Sequence, residues 1–75
     1  MKELIEFIAK SLVDDPTEVR VIERAARGSV RLELTVAEED MGRVIGRGGR
    51  VANAMRALLR VAAARKGTRA TLDIL

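Results

Sequence analysis

The sequence predicts an α+β domain of two layers, a three-stranded sheet covered on one face by helices, with elements in the order α-β-β-α-α-β. Three observations carry that expectation. Val30, Leu32, Leu34 and Val36 alternate strictly with Arg31, Glu33 and Thr35, the period of a strand with one buried face. Apolar residues at helical spacing fill the first dozen positions and the stretch from Val51 to Ala64. Between Met41/Val44/Ile45 and Val51/Met55/Leu58, Gly46-Arg47-Gly48-Gly49 interrupts the helical pattern, because glycine is the poorest helix former after proline.

In chain order, Lys2 to Val13 places Leu4, Ile5, Ile8 and Leu12 on one helical face, with Lys2, Glu3, Glu6 and Lys10 away from it. Asp14-Asp15-Pro16 ends this helix, since proline cannot continue the hydrogen-bond ladder and restricts the residue before it. The two aspartates read as turn formers. Glu18 to Ala25 is a strand with Val19 and Val21 on one side and Arg20 and Ile22 on the other. Ala26-Arg27-Gly28-Ser29 is a tight turn, so this strand and the Val30–Val36 strand form an antiparallel hairpin.

Ala37-Glu38-Glu39-Asp40 supplies three acids to the first turn of a short helix that ends at the glycines, where they complement its dipole. Arg43, in the last turn, suits the negative pole of that helix and equally suits an anionic ligand. A long helix follows from about Gly49 to Lys66, with Val51, Met55, Leu58, Leu59 and Ala62 expected against the sheet and Gly67 as its C-cap. Ala54, Ala57, Val61 and Ala64 form a second small apolar stripe. Two readings of it stand: alanines kept for helix propensity, or a surface that pairs with another protein. Thr68 to Leu75 closes the chain as a strand, with Ala70, Leu72 and Ile74 on one face.

Composition narrows the function. The 75 residues fit one small domain. With no cysteine and no histidine, disulfides, thiolate or imidazole metal sites, nucleophilic cysteines and histidine bases are excluded. There are no paired carboxylates near the glycines and no lysine-serine pair after them, so neither catalysis nor a nucleotide-binding P-loop is expected, and no cofactor or metal. The apolar runs are short and the first residues carry acids, so neither a membrane span nor a signal peptide fits, and a cytoplasmic protein is expected.

Net charge is +3, unevenly spread. Residues 1–42 hold six basic and ten acidic residues, whereas residues 43–69 hold eight basic residues and no acid. A one-signed block that begins beside a glycine turn has two readings, the footprint of a polyanion site or an arginine-rich helix that is simply solvated, and the first is favoured. The turn itself adds to it: backbone without Cβ atoms lets a ligand approach closely, and the following helix aims its free N–H groups at the turn.

Val44-Ile45-Gly46-Arg47-Gly48-Gly49 resembles the V-I-G-x-x-G signature of the KH domain, a single-stranded RNA-binding module whose GxxG loop clamps the backbone of about four nucleotides. The element order resembles the type II form, and the whole chain, from the amphipathic first helix through D-D-P-x-x-V to the short last strand, resembles the KhpA family of stand-alone bacterial KH proteins. The resemblance covers essentially all of residues 1–75, which it makes a single KH domain. It implies RNA binding in the cytoplasm, an RNA-chaperone role, a homodimer or a heterodimer with a KhpB-like KH protein, and links to cell shape and envelope homeostasis. Gly48 and Ala52 depart from the commonest KH pattern, which has a polar residue at the first position and isoleucine or valine at the second.

Carried onto this chain, the RNA site comprises Arg43, Val44, Ile45, Gly46, Arg47, Gly48, Gly49, Arg50, Val51 and Asn53. Phosphates are expected over Gly46–Gly49 with charge from Arg47 and Arg50, and bases over Val44, Ile45 and Val51 beside the second strand, with Asn53 or Arg31 at base edges. The chain has no Trp or Tyr and one Phe, so stacking platforms are excluded and sequence selectivity should be weak. The alternative is an interaction module that dimerises through Ala54, Ala57, Val61 and Ala64 and binds RNA weakly or not at all.

Overall fold

A computed structural model describes all residues from Met1 to Leu75. Its elements are α1 (Lys2–Leu12), β1 (Arg20–Ala26), β2 (Ser29–Thr35), α2 (Met41–Ile45), α3 (Arg50–Arg65) and β3 (Arg69–Ile74), the order expected, in a type II KH arrangement. Strands lie in the order β1-β2-β3. β1 and β2 are antiparallel, with Val21 opposite Leu34 and Ala26 opposite Ser29 across the Arg27-Gly28 turn, while β3 runs parallel to β2 with Leu32 beside Leu72. The helices cover one face, and the core between the layers holds Ile5, Ala9, Val19, Val21, Leu32, Leu34, Val44, Met55, Leu59 and Leu72.

Local chemistry sets the element ends. Pro16 opens a 3-10 turn over Pro16–Glu18, capped by the Asp15 side chain on the Thr17 N–H at 3.2 Å. That turn takes up Glu18, so the first strand begins at Arg20, two residues later than the sequence pattern indicates. Glu38–Asp40 likewise forms a separate 3-10 turn ahead of α2 and not the first turn of α2. α3 ends in a Schellman motif, with Gly67 at φ +69°, its N–H on the Ala64 carbonyl at 3.1 Å and the Thr68 N–H on the Ala63 carbonyl at 3.0 Å.

Both long helices are rolled relative to the sequence expectation, and for the same reason. α1 is seated on Ile5 and Ala9, with Leu12 39% exposed at its end. α3 is seated on Ala52, Met55, Leu59 and Ala63, so Val51 and Ala62 are only half-buried and Leu58, expected in the core, is 52% exposed. Small side chains let a helix axis approach the sheet, and dense packing rewards that approach more than burial of every leucine. Leu58 thereby joins Ala54, Ala57, Val61 and Ala64 on the solvent face of α3, all of them exposed.

Candidate nucleic-acid interface

The Gly46–Gly49 turn joins α2 to α3 in a geometry that only glycine holds comfortably. Gly46 sits at φ 76°, ψ 169°, Gly48 at φ 64°, ψ 19° and Gly49 at φ 80°, ψ 14°. Positive φ brings an L-residue's Cβ against the carbonyl of the preceding residue. At Gly46 a Cβ would also meet Val51 Cγ2 at 2.6 Å and Val51 N at 2.9 Å, so the turn closes directly onto the first residues of α3. A Cβ at Gly48 would meet nothing within 4 Å. Gly48 therefore presents bare backbone to solvent at the tip, between the exposed side chains of Arg47 and Arg50.

The turn holds itself by main-chain bonds, Gly46 N–H to Gly42 O at 2.8 Å and Gly49 N–H to Gly46 O at 3.1 Å. No side chain caps the N-terminus of α3. A 16-residue helix thus points its positive end at the bare backbone of the glycine turn, flanked by Arg47 and Arg50, an arrangement that attracts a phosphate. Of the apolar residues expected to floor a groove, Ile45 is 37% exposed and Val51 half-buried, but Val44 is wholly buried and anchors α2 in the core.

From the turn the accessible surface runs along α3 toward β3. A cavity of about 200 Å³ lies there, lined by Arg56, Leu59, Arg60, Ala70, Thr71 and Leu72. Arg56 spans it, donating from Nε to the Leu72 carbonyl at 3.2 Å and from Nη1 to Asn53 Oδ1 at 3.4 Å, while Asn53 Nδ2 approaches within 3.7 Å of where a Gly49 Cβ would be. The strand that walls the groove is β3 and not the second strand, because β2 is central and its helix-facing Leu32 and Leu34 are fully buried, leaving β3 as the free edge beside α3. Arg31 is not part of the groove: its guanidinium is held by Glu33 at 3.1 Å and Asp73 at 3.7 Å.

Arg56 and Arg60 line this cavity, and motif spacing does not single them out. Their signal is the i, i+4 interval on α3, which becomes informative only once Ala52 and Ala63 are known to face the sheet.

The charge block keeps its charges free. Of the basic residues between 43 and 69, only Arg43 pairs with a carboxylate. Arg43 lies 2.8 Å from Asp40 Oδ1 and 3.0 Å from Asp14 Oδ2 and also donates to the Glu39 carbonyl. Asp40 is 1% exposed and accepts the Asp14 and Asp15 N–H groups on its two oxygens, each at 3.1 Å. The Asp14 N–H, the Asp15 N–H and the Arg43 guanidinium hold its carboxyl below the usual carboxylate range against the opposing effect of burial. Asp40, which the sequence presents as one of three interchangeable helix-dipole acids, is therefore the clamp that ties the segment after α1 to the helix carrying the glycine turn.

No group of acidic side chains is placed to hold a metal ion, and no helix is long and apolar enough to cross a membrane.

Comparison with known proteins bears on family and fold. A family model described as KhpA/KhpB, KH domain, matches residues 2–74. An RNA-binding protein KhpA of Clostridium acetobutylicum is 51% identical over 75 residues, covering 100% of both chains. The RNA-binding protein KhpA of Clostridium perfringens is 48% identical with the same full coverage, and that of Treponema pallidum is 47% identical over 99% of this chain and 92% of its own. A crystal structure of an Era variant from Aquifex aeolicus bound to GDP.AlF4- superposes with a TM-score of 0.66 at 16% identity, over 97% of this chain and 28% of that one, which speaks for the fold alone.

Proposed function

The chain belongs to the KhpA/KhpB family of KH-domain proteins, an RNA-binding and not an enzymatic family, and on that premise we propose that it binds single-stranded RNA across the Gly46–Gly49 turn and the α3–β3 groove. Phosphates pass over the turn, where Gly48 leaves room and the uncapped end of α3 donates N–H groups. Arg47 and Arg50 add charge-assisted contacts at either side of the tip. Bases lie against Ile45 and Val51 and along Asn53, Arg56 and Arg60, while Arg43, engaged by two carboxylates, contributes field at the margin.

The observation that carries this reading is the coincidence of three features in one place: a turn whose tip at Gly48 is bare backbone, an uncapped helix N-terminus, and arginines with no carboxylate partner. The groove offers no aromatic ring, so the backbone of the RNA supplies most of the affinity and selectivity among sequences is low. Low selectivity with exposed positive charge suits an RNA chaperone acting on many transcripts in the cytoplasm. The test is a gel shift of a single-stranded oligoribonucleotide with Arg47→Asp combined with Gly48→Asp. Binding should be lost while circular dichroism at the assay temperature shows the fold intact, the left-handed Gly48 position costing only about 1 kcal/mol; equal affinity of the double variant would place the site elsewhere.

A second reading rests on the solvent face of α3. Leu58 at 52% and Val61 at 56% exposure stand among Ala54, Ala57 and Ala64, an apolar strip on the side of the helix opposite the sheet. It suits self-pairing, or pairing with a KhpB-like KH protein, through close helix packing.

A further inference from the structure

The sheet face turned away from the helices carries a second cluster of guanidinium groups that the RNA groove does not use. Side chains alternate across a strand, so with Leu32, Leu34 and Leu72 turned to the core, Arg24, Ser29, Arg31, Glu33, Thr71 and Asp73 project from the opposite face. Arg24 and Arg31 are direct cross-strand partners, a placement that like charges make unfavourable.

One carboxylate serves them both: Arg24 Nε lies 3.1 Å from Glu33 Oε1 and Arg31 Nη2 lies 3.1 Å from Glu33 Oε2. Arg31 Nε reaches Asp73 at 3.7 Å. Both Nη groups of Arg24 and Nη1 of Arg31 remain without a partner, and the two side chains are 60% and 55% exposed. Arg27 in the hairpin turn and Arg69, beside Ser29, have no carboxylate partner either. The hairpin end of this face therefore carries Arg24, Arg27, Arg31 and Arg69, with Glu33 paired to Arg24 and Arg31. Between Arg24, Arg31, Ser29 and Thr71 lies a depression of about 360 Å³, larger than the cavity in the α3–β3 groove.

We propose that this depression is a second phosphate site, taking the backbone of single-stranded RNA on the face opposite the Gly46–Gly49 turn. The free guanidinium N–H groups of Arg24 and Arg31 donate to the two non-bridging oxygens of a backbone phosphate, and the Ser29 hydroxyl donates to one of the same oxygens. The phosphate adds to the counter-charge that Glu33 and, at 3.7 Å, Asp73 supply to the two arginines. Two sites on opposite faces let one molecule hold two RNA segments at once with their mutual repulsion screened. That is a physical route to strand annealing needing neither stacking nor a second subunit. The inference rests on the reading of this chain as an RNA-binding protein.

The experiment is a calorimetric titration of the full chain with tetrauridylate at low salt, a probe about as long as one KH clamp. Wild type should show two classes of site. Arg24→Gln with Arg31→Gln should remove the weaker class and leave the tighter within twofold, whereas Arg47→Asp with Gly48→Asp should remove the tighter and leave the weaker. Glu33→Gln, which frees both arginines, should strengthen the weaker class about threefold. That opposite direction excludes general damage to the sheet as the cause of loss. A single class in wild type that only the loop change abolishes overturns this proposal and leaves the KH reading standing. Absence of any tetrauridylate binding by wild type overturns the KH reading itself.

Discussion

The Gly46 Cα faces the Val51 side chain so closely that a Cβ at position 46 would stand 2.6 Å from Val51 Cγ2, whereas a Cβ at Gly48, two residues on, would meet nothing within 4 Å. The two glycines are present for different reasons. Gly46 is demanded by packing and by φ together, and Gly48 by φ and by the need for an open tip.

Gly46→Ala should therefore lower stability by about 3 kcal/mol, combining left-handed strain with a clash against α3. Gly48→Ala should cost only about 1 kcal/mol. Urea denaturation followed by circular dichroism measures both. Equal losses at the two positions would mean that the turn re-forms around position 46 and that the Val51 contact does not fix it.

The clamp at Asp40 predicts a pH dependence. Its carboxyl is held below its ordinary value in the folded protein, so the unfolded chain binds the proton first. The stabilisation is complete above the unfolded carboxylate value of about 4 and disappears as pH falls through the lower folded value. Asp40→Asn, which loses the ion pair with Arg43 and one acceptor for the Asp14 and Asp15 N–H groups, should lower Tm at pH 7 by roughly 5 °C. The difference between variant and wild type should shrink as pH drops below about 4. A constant difference across that range would show that Asp40 acts through packing and not through its charge.

RNA affinity should fall with salt in proportion to the phosphates neutralised. Around three phosphates over the turn give a slope of about −2 for log affinity against log salt, single strands contributing about −0.7 each. Arg47→Ala should make the slope shallower by about 0.7. Fluorescence anisotropy on a short oligoribonucleotide over a salt series tests this, and a salt-independent affinity would rule out phosphate contact as the main source of binding.

Val61→Arg places a charge in the middle of the exposed strip of α3, on the side of the helix opposite the core. If the strip pairs two copies, sedimentation velocity should show the variant as monomer where wild type is dimer. Affinity for RNA should stay within twofold, since Arg56 and Arg60 lie on a different flank. A dimer that survives the substitution locates the interface elsewhere.

Much of this protein was determined by the sequence itself. Strict alternation from Val30 to Val36 leaves one buried strand face, Pro16 and Gly67 stop helices by removing or redirecting hydrogen bonds, and the run Gly46-Arg47-Gly48-Gly49 admits only a turn between two helices. Those are local constraints, settled within a few residues of backbone, and they suffice for the element order and for the turn at the centre of the candidate site. The tertiary structure decided what depends on distance between elements. Ala9, Ala52 and Ala63 became the lines of contact, and Leu58 was left in solvent, because close approach of helix to sheet outweighs the hydrophobicity of any one residue. The third strand became the free edge, which moved the groove wall from β2 to β3 and brought Arg56 to the Leu72 carbonyl. Asp40 was singled out from its neighbours Glu38 and Glu39 because the chain after α1 returns to it 25 and 26 residues away in sequence. No local pattern carries that information, since the N–H groups that make it a clamp belong to another part of the chain.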